Sequence, residues 1–206
     1  MIEAIINLFT ENTYIINEGK DAFIIDPGAS LDKIKSYIEK KDLNVKAVLL
    51  THGHFDHILY INEVVEEYKC PVYLHKDERN FLFDPTLNLS SSIDKKIVFK
   101  EKELINAFET PYQIKLGNET INVLHTPGHS RGSVCYEYGT VVFTGDTLFR
   151  GSIGRSDLPT SNSNALNASL LKIIETYHDN TLIYPGHGEF STLITEKMKN
   201  RWLKNL

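Results

Sequence analysis

Apolar residues fall into short runs that end at Gly, Pro, Asp or Asn, and stretches with helical spacing lie between them. Ile2 to Leu8, Tyr14 to Asn17 and Ala22 to Ile25 read as three opening strands, with hairpin chemistry at Glu18-Gly19-Lys20-Asp21. Asp26-Pro27-Gly28 stops the third strand, and Ser30 is placed to cap a helix running to about Lys41, with Leu31, Ile34 and Ile38 as its apolar stripe. Ala47-Val48-Leu49-Leu50 reads as a buried strand. A second helix follows from about Phe55 to Tyr68, burying Ile58, Ile61, Val64, Val65 and Tyr68. Asp56 and His57 then fall in its first turn, where the helix dipole favours a carboxylate.

Pro71 to Leu74 is a further short strand, closed by His75, which reads as a capping or packing residue. Asp84 to Asp94 has no period and reads as a long loop, a place where lids are often built. Strands and hairpins return from Pro111 to Gly139, with a turn at Gly117-Asn118. Helices are expected from about Asn164 to Tyr177 and from about Thr192 to Leu203. No linker or low-complexity tract interrupts the chain, so residues 1–206 read as one mixed α/β domain in which strands then helices occur twice.

The densest chemistry is Thr51-His52-Gly53-His54-Phe55-Asp56-His57, directly after a buried strand. Gly53 allows a tight turn, so that His52 and His54 point to one metal while Asp56 and His57 turn toward a second position. Imidazole and carboxylate suit zinc, and also iron or manganese. The same grammar of apolar strand, turn and ligand recurs three times. It gives Thr126-Pro127-Gly128-His129, Thr144-Gly145-Asp146 and Pro185-Gly186-His187-Gly188, with a glycine before the ligand each time. His75, His125 and His178 lie outside this grammar.

Composition narrows the classes. With 206 residues, 41% of them hydrophobic, the chain can bury a full core. A net charge of −5 argues against a nucleic-acid surface, and no apolar run has the length of a membrane span. The first residues lack the basic flank and cleavage site of a signal peptide, which leads to the expectation of a cytoplasmic protein acting on a small molecule. Cys70 and Cys135 lack metal or redox spacing and read as buried, inert thiols.

Taken together, His52-x-His54-x-Asp56-His57, His129, Asp146 and His187, in this order and with Asp26-Pro27-Gly28 before them, resemble the metallo-β-lactamase superfamily. Gly145-Asp146-Thr147-Leu148-Phe149 followed by Gly154-Arg155-Ser156-Asp157 is most similar to the small hydrolases related to glyoxalase II. The resemblance implies an αββα sandwich, two mixed β-sheets flanked by helices. It implies two divalent ions, zinc first with iron or manganese as alternatives. His52, His54 and His129 would hold one ion and Asp56, His57 and His187 the other, with Asp146 bridging and Asp26 supporting the histidine loop from behind. The implied reaction is hydrolysis of a small thioester by a metal-bridging hydroxide, with Asp56 and Asp146 as the catalytic carboxylates. Arg155, Asp157 and Tyr184 are the candidates for binding substrate; Arg155 either meets an anionic group or pairs with Asp157. The Gly-Arg-x-Asp element also occurs in persulfide dioxygenases, which use one iron at the counterparts of His52, His129 and Asp146. That is the alternative reading, and the Pro185-Gly186-His187-Gly188 segment fits the hydrolases better. The chain runs only a short way past His187, so the similarity does not reach the C-terminal helical region that helps glyoxalase II to bind glutathione.

Overall fold

Six strands, β1 (Ile2–Ile6), β2 (Asn12–Glu18), β3 (Asp21–Ile25), β4 (Asn44–Leu49), β5 (Val72–His75) and β6 (Ile105–Phe108), form one sheet in sequence order. In this computed structural model, which describes residues 1–206 apart from the side chain of Asn205, β1–β3 pair antiparallel and β3–β6 parallel. The parallel steps need crossovers. α1 (Leu31–Lys41) joins β3 to β4, and α2 (Ile61–Tyr68) joins β4 to β5. α1 buries Ile34 and Ile38, and α2 buries Ile61, Val64 and Val65. They meet Ile24, Val48, Leu50, Val72 and Leu74 of the sheet side in one core. Ser30 occupies the N-cap of α1, but its carbonyl rather than its side chain takes the first amide bonds.

The second sheet contains β7 (Tyr112–Leu116), β8 (Glu119–His125), β9 (Val134–Tyr138), β10 (Val141–Gly145), β13 (Leu182–Pro185) and β14 (Ser191–Thr192), in the order β14-β13-β10-β9-β8-β7. Only β10–β13 is a parallel pair among the pairings β8–β9, β9–β10, β10–β13 and β13–β14. Between β10 and β13 lie a hairpin of two short strands, β11 (Leu148–Phe149) and β12 (Ser152–Ile153), and then α3 (Ser163–Thr176). α3 buries Leu166, Leu170 and Ile173 against Cys135, Val142 and Ile183. α4 (Leu193–Lys199) follows β14. The contacts divide the chain into two compact units, Met1–Glu109 with Lys115–Glu119, and Thr110–Ile114 with Thr120–Leu206. Among the described residues, no helix is long and apolar enough to cross a membrane.

Two helix boundaries differ from the sequence expectation. α2 begins at Ile61 rather than near Phe55, because backbone groups in residues 55–60 bond elsewhere. Phe55 N donates to Asn88 O at 2.8 Å and Tyr60 N to Pro27 O at 3.0 Å, while three-residue turns carry the chain from His54 to Ile61. Asp56 and His57 therefore sit in irregular turns, and no helix dipole acts on them. α4 ends at Lys199 because Asn200 is extended, and a 3-10 turn, Leu203–Asn205, follows the break. His75 caps the 3-10 helix Lys76–Leu82, its Nδ1 accepting from Asp77 N at 3.4 Å, as a capping role requires.

The 84–94 loop is stapled rather than loose. Buried Asn88 donates from Nδ2 to Phe81 O at 2.8 Å and to Ile97 O at 3.0 Å, and its Oδ1 accepts from Ser90 N at 2.9 Å. Asn88→Ala strands two buried carbonyls and an amide, and at roughly 1 kcal/mol or more for each we expect a loss of about 3 kcal/mol. Urea unfolding of the metal-free protein measures it, and an unchanged midpoint would show that the staple contributes nothing.

Candidate metal centre

The first unit arranges its histidines around Asp26, which ends β3 in a left-handed conformation (φ 51°). Asp26 N donates to Leu49 O at 2.9 Å, which aligns the ends of β3 and β4. The buried Asp26 carboxylate then accepts three hydrogen bonds. Oδ1 takes Thr51 N at 2.7 Å, and Oδ2 takes Thr51 Oγ1 at 2.6 Å and His57 Nδ1 at 2.9 Å. A carboxylate only accepts, so His57 carries its proton on Nδ1 and presents the Nε2 lone pair. The Thr51 hydroxyl hydrogen is likewise committed to Asp26. Its oxygen, 3.1 Å from His52 Nδ1, therefore accepts from that ring, and His52 also presents Nε2 as a lone pair. The rings of His52 and His54 lie 4.7 Å apart and those of His52 and His57 4.2 Å apart. Asp56 Oδ2 stands 4.0 Å from His57 Nε2.

Gly53 serves the loop differently from the tight turn expected. Its φ is not positive; a Cβ there would instead collide with Cβ of Phe81. The same residue is held by Glu78, whose Oε2 accepts from Gly53 N at 2.8 Å. Asn7 adds a third support, donating from Nδ2 to Asp56 O at 2.9 Å. Behind the loop sits buried Glu11. Burial pushes its carboxyl well above the usual carboxylate range; His57 opposes this, and Asp26 and Asp56 add to it. None of Glu78, Asn7 and Glu11 stands out in the sequence, because no motif or period marks them.

The second unit carries His129, Asp146 and His187. His129 Nδ1 lies 2.9 Å from the Arg155 carbonyl oxygen, which can only accept, so this ring too presents Nε2 as a lone pair. Asp146 Oδ2 lies 3.5 Å from His129 Nε2 and 3.7 Å from His187 Nε2. Two donors on one tetrahedral zinc, each about 2.0–2.1 Å from the ion, are about 3.3–3.4 Å apart. The carboxylate oxygen stands within about 0.4 Å of that spacing from both imidazoles. Three tautomers defined by their neighbours and a carboxylate between two imidazoles fit divalent ions such as zinc, iron or manganese.

The remaining candidates separate. Arg155 and Asp157 form a two-pronged pair, Nε to Oδ1 at 2.9 Å and an Nη to Oδ2 at 3.0 Å, with both side chains exposed. Of the two roles expected for Arg155, pairing is therefore present. Tyr184 stacks on Phe190, with ring centres 5.6 Å apart, and tilts against Phe143 at 5.7 Å. His125 Nε2 lies 3.1 Å from Arg131 O, and His178 is exposed. Cys70 and Cys135 are free and buried, and burial pushes their thiols up to about 11 and about 12. Neither is a thiolate at neutral pH.

The metallo-beta-lactamase superfamily profile matches residues 6–187. YqgX of Bacillus subtilis (strain 168), a probable metallo-hydrolase, is 39% identical over 194 residues, covering 93% of this chain and 92% of that protein. Hydroxyacylglutathione hydrolase GloC of Haemophilus influenzae is 30% identical over 212 residues, covering 97% and 96%. Among solved structures, the BLEG-1 B3 metallo-beta-lactamase superimposes with a TM-score of 0.91 at 36% identity, over 98% of this chain and 99% of that one. TTHA1623 in a di-iron-bound form gives 0.85 at 33% identity, over 98% and 100%. With its profile matched over most of its length and its two mixed sheets, the chain belongs to the metallo-beta-lactamase superfamily.

Proposed function

We propose that this protein is a binuclear metallohydrolase that cleaves small thioesters. Residues 1–206 act as one domain, with His52, His54 and His129 holding one ion, Asp56, His57 and His187 the other, and Asp146 bridging. The observation that carries this reading is the position of Asp146 Oδ2 between two imidazoles, 3.5 Å from His129 Nε2 and 3.7 Å from His187 Nε2, close to the spacing of two donors that share an ion. Zinc is the first choice; the di-iron form of TTHA1623 makes iron the alternative to test beside manganese.

When bound, the pair of ions acidifies water to give a nucleophile at neutral pH and polarises the carbonyl oxygen as a Lewis acid. The chain's own groups do the rest. Asp146 would supply negative charge beside the ions that His129 and His187 would hold. Asp56 and Asp146 are the carboxylates of the reacting centre, and their negative charge would favour divalent cations there. Buried, protonated Cys70 and Cys135 are unsuited to form an acyl-enzyme. A thiolate leaves without strong acid assistance, its parent thiol having a pKa of about 8.5, which matches a site with no dedicated general acid. The name of GloC, hydroxyacylglutathione hydrolase, supports the thioester class. Arg155, Asp157 and Tyr184 contact the substrate, with Arg155 exchanging Asp157 for an anionic group. Both side chains are exposed, so water screens the pair and little opposes that exchange.

Metal content decides the reading. Protein saturated with zinc should hold two ions per chain; His187→Ala should lose mainly one, and His54→Ala mainly the other. The protein should consume no oxygen when offered a persulfide. One iron per chain with oxygen uptake would replace the hydrolase reading with the dioxygenase. Asp146→Asn keeps the shape and removes the charge, and turnover of a thioester should fall at least about a hundredfold, roughly 2.7 kcal/mol of barrier. Near-normal turnover would remove Asp146 from the reacting centre. Arg155→Ala should leave metal content intact. It should raise KM for an anionic thioester about tenfold with little change for a neutral one of similar size. Equal losses on both substrates, reproduced by Asp157→Ala, would mean that the pair shapes its loop and binds nothing.

A further inference from the structure

We infer that Glu196, together with Asn200 one turn along the chain, is a positioning residue for His129, Asp146 and His187, acting through the β11–β12 hairpin. The inference rests on the reading that these three side chains bind metal. Glu196 is a carboxylate buried to 1% exposure, on a helix whose neighbouring positions Ile194, Met198 and Lys199 face solvent. Its Oε1 accepts from Ser191 Oγ at 2.6 Å, and its Oε2 accepts from Gly151 N at 2.7 Å and Asn200 Nδ2 at 2.9 Å. Asn200, also buried, donates from the same Nδ2 to Ser152 O at 3.0 Å and reaches Phe149 O at 3.4 Å. Two side chains of the C-terminal segment thus grip the main chain of the hairpin at residues 149, 151 and 152.

The hairpin needs such a grip. It has two residue pairs, Leu148 with Ile153 and Phe149 with Ser152, and so short a ribbon has little stability of its own. Yet each end of it supports a candidate ligand. Gly154, directly after β12, packs so closely on the Asp146 carbonyl that a Cβ there would collide, and that Cβ would also lie 3.2 Å from His129 Nδ1. Arg155 provides the carbonyl that fixes the His129 tautomer. Phe149 in β11 meets the His187 ring edge-on, with centres 6.0 Å apart. A shift of the hairpin would therefore move the supports of all three ligands together. The three hydrogen bonds described for Glu196 all come from neutral donors. Burying a carboxylate on those terms costs more than burying a leucine would, and the return is the defined position of the hairpin backbone.

Zinc binding tests the clamp without any substrate. Affinity is read by competition with a chromophoric chelator, and the melting temperature of the metal-free protein is read beside it. Glu196→Ala should weaken zinc binding at least about tenfold, the usual cost of losing a group that orients a ligand. Glu196→Gln should stay within about threefold of wild type, because its amide oxygen can serve Gly151 and Asn200 while its NH2 donates to Ser191. Leu193→Ala is the control. Leu193 is buried on the same helix, so its loss should lower the melting temperature and leave zinc affinity unchanged. Wild-type affinity in Glu196→Ala, or an equal loss in Leu193→Ala, would overturn the inference. If Glu196→Ala does not fold, Asn200→Ala stands in its place with the same expectations. Should the wild type hold only one zinc, the two-ion reading fails, and the ratio of wild-type to variant affinity for that ion still decides the clamp.

Discussion

One carboxylate organises the first half of the chemistry. Asp26 accepts from Thr51 N, Thr51 Oγ1 and His57 Nδ1, and through the Thr51 hydroxyl it also defines His52. Neutral imidazole has two tautomers, and only the nitrogen without hydrogen can ligate a cation. A buried acceptor that can never donate removes the choice. The parallel pairing of β3 and β4 makes this possible, because it brings Asp26 and Thr51 to the same end of neighbouring strands, with Ile25 opposite Leu49. A slip of one residue in that register would turn the carboxylate toward the opposite face.

The second unit reaches the same end by other means. His129 is oriented by a main-chain carbonyl, from Arg155, and that carbonyl is itself placed by a short hairpin and its attachments. A side-chain carboxylate is strong and local; a carbonyl is weaker and takes its position from the whole loop. Precision in the second unit is therefore spread over more residues, which is why several of them are far from any ligand in sequence.

That difference also explains what could be read from the chain alone. The strand ends before His54, His129, Asp146 and His187 were legible because a buried strand, a glycine and a residue of ligand type follow one another locally. Each is a short-range pattern with a physical cause. The start of α2 was not legible, since it depends on Asn88 and Pro27 taking the amide bonds of Phe55 and Tyr60. Glu78 and Glu196 were hidden for a related reason. An acidic residue in a polar helical segment reads as a solvated face, and only the folded chain shows a backbone amide, from Gly53 or Gly151, pointing at it. The end of α4 was misplaced because Asn200 has ordinary helical neighbours, and what takes it out of the helix is its bonding to the hairpin.

The use of the Arg155 carbonyl has a consequence for how this molecule can change. Every amino acid carries the same carbonyl, so the bond to His129 survives any replacement at that position which keeps the backbone path. The side chain there is exposed and pairs with its neighbour two residues on. Selection, or a designer building a library, can therefore vary the side chain at position 155 widely, proline apart, without losing the acceptor that orients His129. A surface built this way can change its exposed chemistry one residue at a time while the imidazole beneath it keeps its orientation.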